Sequence, residues 1–250
     1  MLNKITIIGV GLIGGSLAKA IKANKLATVV CGYGRDQLRL EKAKKGNIID
    51  ELSTNIGEAI KGADIVVIAT PVGTFKQILE DIEPLISEQV IISDVGSTKT
   101  NIVKIVNTVL KEKSKCFVPA HPIAGKEKSG FEVSVSDLFE DKKVILTPLE
   151  NNAPESIKVI HDMWTGVGSE VDYMSSESHD ELLGMTSHLP HMLAFSLVNY
   201  LVSQNPTASI YAGGGFKDFS RIASGDAVMW RDICLQNKDQ IINHIKGYQA

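Results

Sequence analysis

Apolar and polar positions repeat in a fixed order along the first two thirds of the chain. A short β-branched run, "KITIIGV" (4–10), leads into "GLIGGSLAKAIKAN" (11–24), which opens on glycines and then repeats apolar residues at helical spacing. The pair recurs as "ATVVCGY" (27–33) and "RDQLRLEKAKKG" (35–46). "ADIVVIATP" (63–71) and "VIISDV" (90–95) are apolar runs of strand length, followed by the helical patterns "VGTFKQILEDIEPLI" (72–86) and "TKTNIVKIVNTVLKE" (98–112). Strands apolar throughout and alternating with helices predict a parallel, doubly wound sheet covered on both faces. "CFVPAHP" (116–122), "KVILTP" (143–148), the helical "PESIKVIHDMWTGVG" (154–168) and "EVDYMS" (170–175) are expected to extend that sheet. After about residue 175 only helical patterns remain, broken by "NPTAS" and "AGGGF", so a domain boundary is expected there: 1–174 and 175–250.

Composition narrows the class. The chain has 250 residues, 44% hydrophobic and 22% charged, enough to bury one large core or two smaller ones. A net charge of −3 provides no broad basic field, which argues against nucleic acid or an anionic membrane surface as partner. An anionic ligand must then be met by a few placed cations. Cys31, Cys116 and Cys234 are odd in number and far apart, as expected of free thiols in a reducing, cytoplasmic compartment. The apolar stretch next to Met1 reads as a retained strand and turn rather than a signal segment. Residues 184–216 contain no Asp, Glu, Lys or Arg, yet His188, Pro190, His191, Asn199, Gln204 and Asn205 interrupt them. Their compact apolar part, 192–202, reads as a buried helix and not a membrane span.

The first strand runs into Gly9, Gly11 and Gly14, spaced G-x-G-x-x-G, with a helix following. The first glycine permits the tight turn and the second lets a pyrophosphate approach. The third allows close helix–strand packing, and the helix N-terminus points at the phosphates. In the first strand–helix unit of an alternating chain, this pattern predicts a dinucleotide site and a Rossmann-type domain. Leu12, Ile13, Thr70 and Pro71 join the expected cofactor contacts. Where an acid would meet the ribose 2′-OH of NAD, the sequence reads "GYGRDQLR". Gly34 removes the carboxylate and Arg35 offers a bidentate partner for a 2′-phosphate, which favours NADP; Asp36 is still able to reach the ribose, so NAD stays open.

"GVGLIGGSLAKAI", "DVGSTK", "HPIAGKEKSG", "SHLPH" and "GFKDFSRIASGDAVMWRDI" resemble, in this order, the prephenate and arogenate dehydrogenases of tyrosine biosynthesis. The resemblance covers nearly the whole chain. It implies a nicotinamide-dependent oxidative decarboxylation of prephenate, or alternatively of arogenate or both, in a homodimer built by an all-helical C-terminal domain. Members of that family commonly continue beyond the position of Ala250.

The resemblance also implies roles for single residues. His121 accepts the proton of the substrate's ring hydroxyl as hydride leaves. A neutral imidazole suits that task, and Pro122 biases His121 toward an extended conformation at a strand end. Ser97 lies between His121 and the nicotinamide, although Ser97 and Thr98 also stand where they can cap the next helix. Arg221 holds a substrate carboxylate, His191 hydrogen-bonds substrate, and His188 supports the structure. Glu127, between the expected hinges Gly125 and Gly130, takes part in a loop over the substrate. Lys126 departs from the family's usual small residue and is a further candidate toward substrate. Trp230 is expected to pack. His179, His188 and His191 do not share one helical face, so no metal site is expected. Two rival classes remain. A β-hydroxy-acid dehydrogenase needs a lysine on the long helix, but 177–202 contain none. A non-catalytic dinucleotide sensor needs the glycine turn without His121, Ser97 and Arg221.

Overall fold

The computed structural model describes residues 2–126 and 128–249. β1 (Leu2–Ile8), β2 (Ala27–Tyr33), β3 (Glu51–Ser53), β4 (Ile65–Ile68), β5 (Ile91–Asp94) and β6 (Phe117–Val118) form a parallel sheet in the order β3-β2-β1-β4-β5-β6. The connecting helices are α1 (Leu12–Ala23), α2 (Gln37–Lys45), α3 (Ile56–Ile60), α4 (Phe75–Ile82) and α5 (Thr100–Leu110).

Alternate residues of the central strands serve opposite cores, as the two-residue period requires. Ile5, Ile7, Ile65 and Val67 pack with Leu17 and Ile21 of α1, while Ile8, Val66 and Ile68 pack with Phe75, Leu79 and Ile82 of α4. Each of these fully buried side chains stabilises the fold by about 1.5–3 kcal/mol relative to exposure. Two covered faces explain why the strands read as unbroken apolar runs.

The sheet ends sooner than expected. β7 (Ala120–Pro122), β8 (Lys143–Leu146) and β9 (Glu170–Tyr173) do not extend it but form a second sheet, with β7 antiparallel to β8 and β8 parallel to β9. Pro119 separates β6 from β7. It has no N–H for a ladder, and its carbonyl accepts from Thr147 N at 3.1 Å, turning the chain toward β8. α6 (Pro154–Gly166) lies between β8 and β9, and its Trp164 is fully buried.

After β9 the described residues are helical: α7 (Ser176–Leu183), α8 (Leu189–Gln204), α9 (Gly214–Arg221), α10 (Ala227–Gln236) and α11 (Lys238–Gln249). A π turn over Gly184–His188 joins α7 to α8 directly before Pro190, whose missing N–H breaks the regular ladder. α9 starts inside the glycine run expected to be a break. The apolar run on α8 is not buried within one chain, since Leu197, Tyr200 and Val202 are exposed. No helix among the described residues is long and apolar enough to cross a membrane.

Candidate active site

The glycine turn, Thr70, Pro71 and Ser97 follow the carboxyl ends of β1, β4 and β5, on either side of the point where the strand order reverses between β1 and β4, and His121 lies on β7, just after β6. Gly9 follows β1 with φ 99°, and a Cβ there would overlap Thr70 and the Ala69 carbonyl. A Cβ at Gly14 would lie 2.2 Å from the Gly9 oxygen and press on Ile7 and Ala69. A Cβ at Gly11 would meet nothing within 4 Å. The first and third glycines are therefore demanded by the protein's own packing, and the second faces open space at the start of α1. No side chain caps α1 at Gly11, so its first-turn N–H groups are available to an anion. This cradle fits a dinucleotide pyrophosphate. Leu12 and Ile13 open α1, and Thr70 accepts a hydrogen bond from Thr74 at 2.8 Å beside exposed Pro71.

At the nucleotide edge, Gly34 and exposed Arg35 follow β2. The Asp36 carboxylate accepts from Arg39 N at 3.1 Å as the N-cap of α2. Arg39 stacks its guanidinium 5.7 Å from the centre of the Phe131 ring.

His121 is 8% exposed on β7 and belongs to a buried chain of polar groups. Its Nδ1 lies 2.8 Å from His179 Nε2, and His179 Nδ1 lies 2.9 Å from Asp180 Oδ1. Asp180 also accepts from the Lys99 amide at 2.8 Å and, through Oδ2, from the Thr100 amide at 2.8 Å. The Lys99 ammonium is buried against Asp94 Oδ2 at 2.5 Å, and Asp94 accepts further from the Gly96 and Ala120 amides. His188 meets Asn237 Nδ2 at 2.9 Å through its Nδ1, and a hydrogen bond with the Ser97 backbone engages it as well. Ser97 is half-buried in the loop after β5.

Burial first, and then the electrostatic influence of His179, Lys99 and His188, hold the His121 imidazole well below the ordinary histidine range, so it is neutral at physiological pH. Burial likewise pushes His188 down to about 4. Burial acts to raise Asp180, but hydrogen bonds from His179 and the Lys99 and Thr100 amides outweigh it and keep the carboxylate ionised. Burial drives both members of the Asp94–Lys99 pair toward neutrality, and their mutual attraction opposes it.

Helix capping by Ser97 or Thr98 is not what the structure has: the N-cap position of α5 is Lys99, and Asp180 from α7 closes that terminus. His179 and Asp180 are the members of the site that sequence reasoning missed. The available signal was an adjacent His-Asp pair one turn inside an amphipathic helix.

The remaining candidates come from the helical part and the loop after β7. His191 on α8 donates from Nδ1 to the Ser187 carbonyl at 2.8 Å, so its Nε2 is the free acceptor. Its ring stacks on Trp230, which packs as expected. Arg221 ends α9 and is exposed; Lys126 is exposed; Glu127 lies outside the described residues. Arg35 follows β2, on the far side of β1 from β5, which precedes Ser97, and from β6, which precedes His121. A Cβ at Gly73 would overlap the Asp232 carboxylate, so the turn after β4 packs directly on α10. Among the described residues no group of three His, Cys, Asp or Glu side chains is arranged to hold a metal ion.

Comparison with known proteins yields one family. The family model "Prephenate dehydrogenase, nucleotide-binding domain" matches residues 17–173, and "Prephenate dehydrogenase, dimerization domain" matches 175–250. A cyclohexadienyl dehydrogenase of Zymomonas mobilis is 34% identical over 242 residues, 95% of this chain and 82% of that protein. A prephenate dehydrogenase of Bacillus subtilis is 37% identical over 247 residues, 97% of this chain and 66% of that protein. The crystal structure of Aquifex aeolicus prephenate dehydrogenase with hydroxyphenyl propionate and NAD+ superposes with a TM-score of 0.93 at 40% identity, covering 100% of this chain and 87% of that one.

Proposed function

This chain belongs to the prephenate dehydrogenase family, and from that premise we propose that it is a cytoplasmic enzyme converting prephenate to 4-hydroxyphenylpyruvate. Arogenate is the alternative substrate, alone or alongside prephenate. The observation that carries the reading is the chain Asp180, His179, His121, which leaves Nε2 of a buried neutral histidine as a proton acceptor at the carboxyl end of the cofactor-binding sheet.

When bound, the oxidised nicotinamide supplies the hydride acceptor. His121 Nε2 takes the proton as the ring O–H bond breaks. The C–H electron pair would pass as hydride to the bound nicotinamide; the electron pair of the cleaved bond to the ring carboxylate then moves through the ring to the oxygen, carbon dioxide leaves, and the oxygen of the aromatised ring takes its proton back from His121. Ser97 orients the hydroxyl beside His121. Arg221 grips a substrate carboxylate with its fork, His191 and Glu127 complete the substrate contacts, and Lys126 adds positive charge near the side chain. That charge favours the keto side chain of prephenate over the ammonium of arogenate.

Gly9, Gly11, Leu12, Ile13, Gly14, Thr70 and Pro71 hold the dinucleotide. Arg35 favours NADP, a preference supported by the engagement of Asp36 as the cap of α2. Residues 1–174 serve the cofactor, while 175–250 serve substrate and pair two chains into a homodimer. The exposed Leu197, Tyr200 and Val202 of α8 support that pairing.

The test is steady-state kinetics of the purified chain on both substrates with both cofactors. The reading expects the highest kcat/KM for prephenate with NADP+. A higher value for arogenate reverses the substrate assignment, and cofactor binding without turnover of either substrate returns the protein to the sensor class.

A further inference from the structure

We propose that His179 and Asp180 are positioning residues that fix the tautomer of His121, and that the carboxylate doing so is the same one that docks α7 onto α5. The inference rests on the reading of His121 as the base and extends it to the groups behind the base.

The proton positions follow from donor and acceptor arithmetic. An ionised carboxylate only accepts, so His179 Nδ1, 2.9 Å from Asp180 Oδ1, carries a hydrogen. A neutral imidazole then has a bare Nε2. That atom faces His121 Nδ1 at 2.8 Å, so His121 Nδ1 carries the hydrogen and its own Nε2 is bare. Without this chain the two ring nitrogens of His121 compete for one proton, and only one tautomer accepts a proton from substrate through Nε2.

The ionised state of Asp180 is itself built in. α5 has no side-chain cap from its own sequence, and the carboxylate from α7 receives the Lys99 and Thr100 amides at 2.8 Å each. A negative charge at a helix N-terminus is favoured there. From the other side Asn237 Nδ2 donates to the Asp180 carbonyl at 2.7 Å. His121 is therefore held in its accepting tautomer by an element 58 positions away, and only while α7 is seated on α5.

The experiment uses the full chain with 15N-labelled histidine and compares Asp180→Asn, His179→Gln and His179→Leu. In the unsubstituted protein His121 Nδ1 should report as protonated and Nε2 as bare. In Asp180→Asn an amide nitrogen at the Oδ1 position would face the Lys99 N–H and only the Thr100 amide would keep its acceptor, while the charge that holds a hydrogen on His179 Nδ1 is removed, so both rings are free to reverse. kcat should then fall by about 10²–10⁴-fold, with KM and the cofactor dissociation constant changed less than about threefold. His179→Gln keeps an oxygen acceptor for His121 Nδ1 and should retain the tautomer and kcat within about tenfold, whereas His179→Leu should lose both. Because neither His179 variant touches the cap of α5, they decide the matter if Asp180→Asn fails to fold. An unchanged His121 tautomer in His179→Leu, or equal loss of kcat in Gln and Leu with the tautomer retained, overturns the positioning role. Reversed tautomers with undiminished kcat would instead overturn the role of His121 as base.

Discussion

The imidazole of His191 lies flat on the indole of Trp230, ring centroids 3.6 Å apart at an interplanar angle of 19°. Trp230 is 9% exposed and packs with Ile233 in the core that also holds α4. The stack fixes one face of His191, and the Ser187 carbonyl fixes its Nδ1, so Nε2 has a single direction. Trp230→Leu should cost about 1–3 kcal/mol in stability, somewhat less than full truncation to alanine. Freed from the stack, His191 should raise KM for prephenate more than it lowers kcat. Urea unfolding and steady-state kinetics on the same preparation check both.

The glycines of the first turn separate folding from cofactor binding. Gly14→Ala places a methyl against the Gly9 carbonyl, backbone against which nothing can shift cheaply, and should lower Tm markedly. Gly11→Ala meets no protein atom within 4 Å and should leave Tm nearly unchanged. Its methyl instead occupies the approach of the pyrophosphate, so the cofactor dissociation constant should rise by about tenfold or more. Thermal melts with and without cofactor distinguish the two effects.

Lys99 is fully buried, and its charge is matched by Asp94. Lys99→Met removes one partner and leaves a buried carboxylate with only the Gly96 and Ala120 amides, which should destabilise the protein by about 3–5 kcal/mol. The Lys99 charge also disfavours protonation of His121, so in the folded fraction the His121 ring should titrate at higher pH than in the unsubstituted protein. NMR titration of the ring reads this directly.

Much of the architecture was legible because a strand buried on both faces is an apolar run, and β1, β2, β4 and β5 are such runs. The second sheet was not: "CFVPAHP" reads as one strand, and only the missing N–H of Pro119 and the pairing of β7 with β8 divide it. The glycine turn between β1 and α1 was legible because Gly9, Gly11 and Gly14 are local in sequence. The support of His121 was hidden because it joins residues 58 positions apart and acquires its chemistry only on docking. On α8 the apolar pattern was legible, but what covers it was not, since Tyr200 and its neighbours find no cover within one chain.

Stability should fall on acidification through the histidines. The unfolded chain binds a proton at His188 near the ordinary histidine value, whereas the folded chain resists until about pH 4. Between those values the unfolded state binds more protons, so stability decreases as pH falls. His188 alone should account for roughly 3 kcal/mol of loss by pH 4, with His121 and His179 acting in the same direction. Urea denaturation from pH 7.5 down to 4.5 should show the decline, and His188→Gln should flatten it. An identical slope in His188→Gln would remove His188 from the explanation.

The central claim is that His121 is the base for prephenate oxidation. Its most direct test is the rate at which reduced nicotinamide forms in a single turnover of His121→Asn with saturating prephenate and cofactor. The rate should fall by about 10²–10⁴-fold while both dissociation constants stay within about threefold of the unsubstituted protein. A correctly folded His121→Asn enzyme that forms reduced nicotinamide at nearly the original rate contradicts the account.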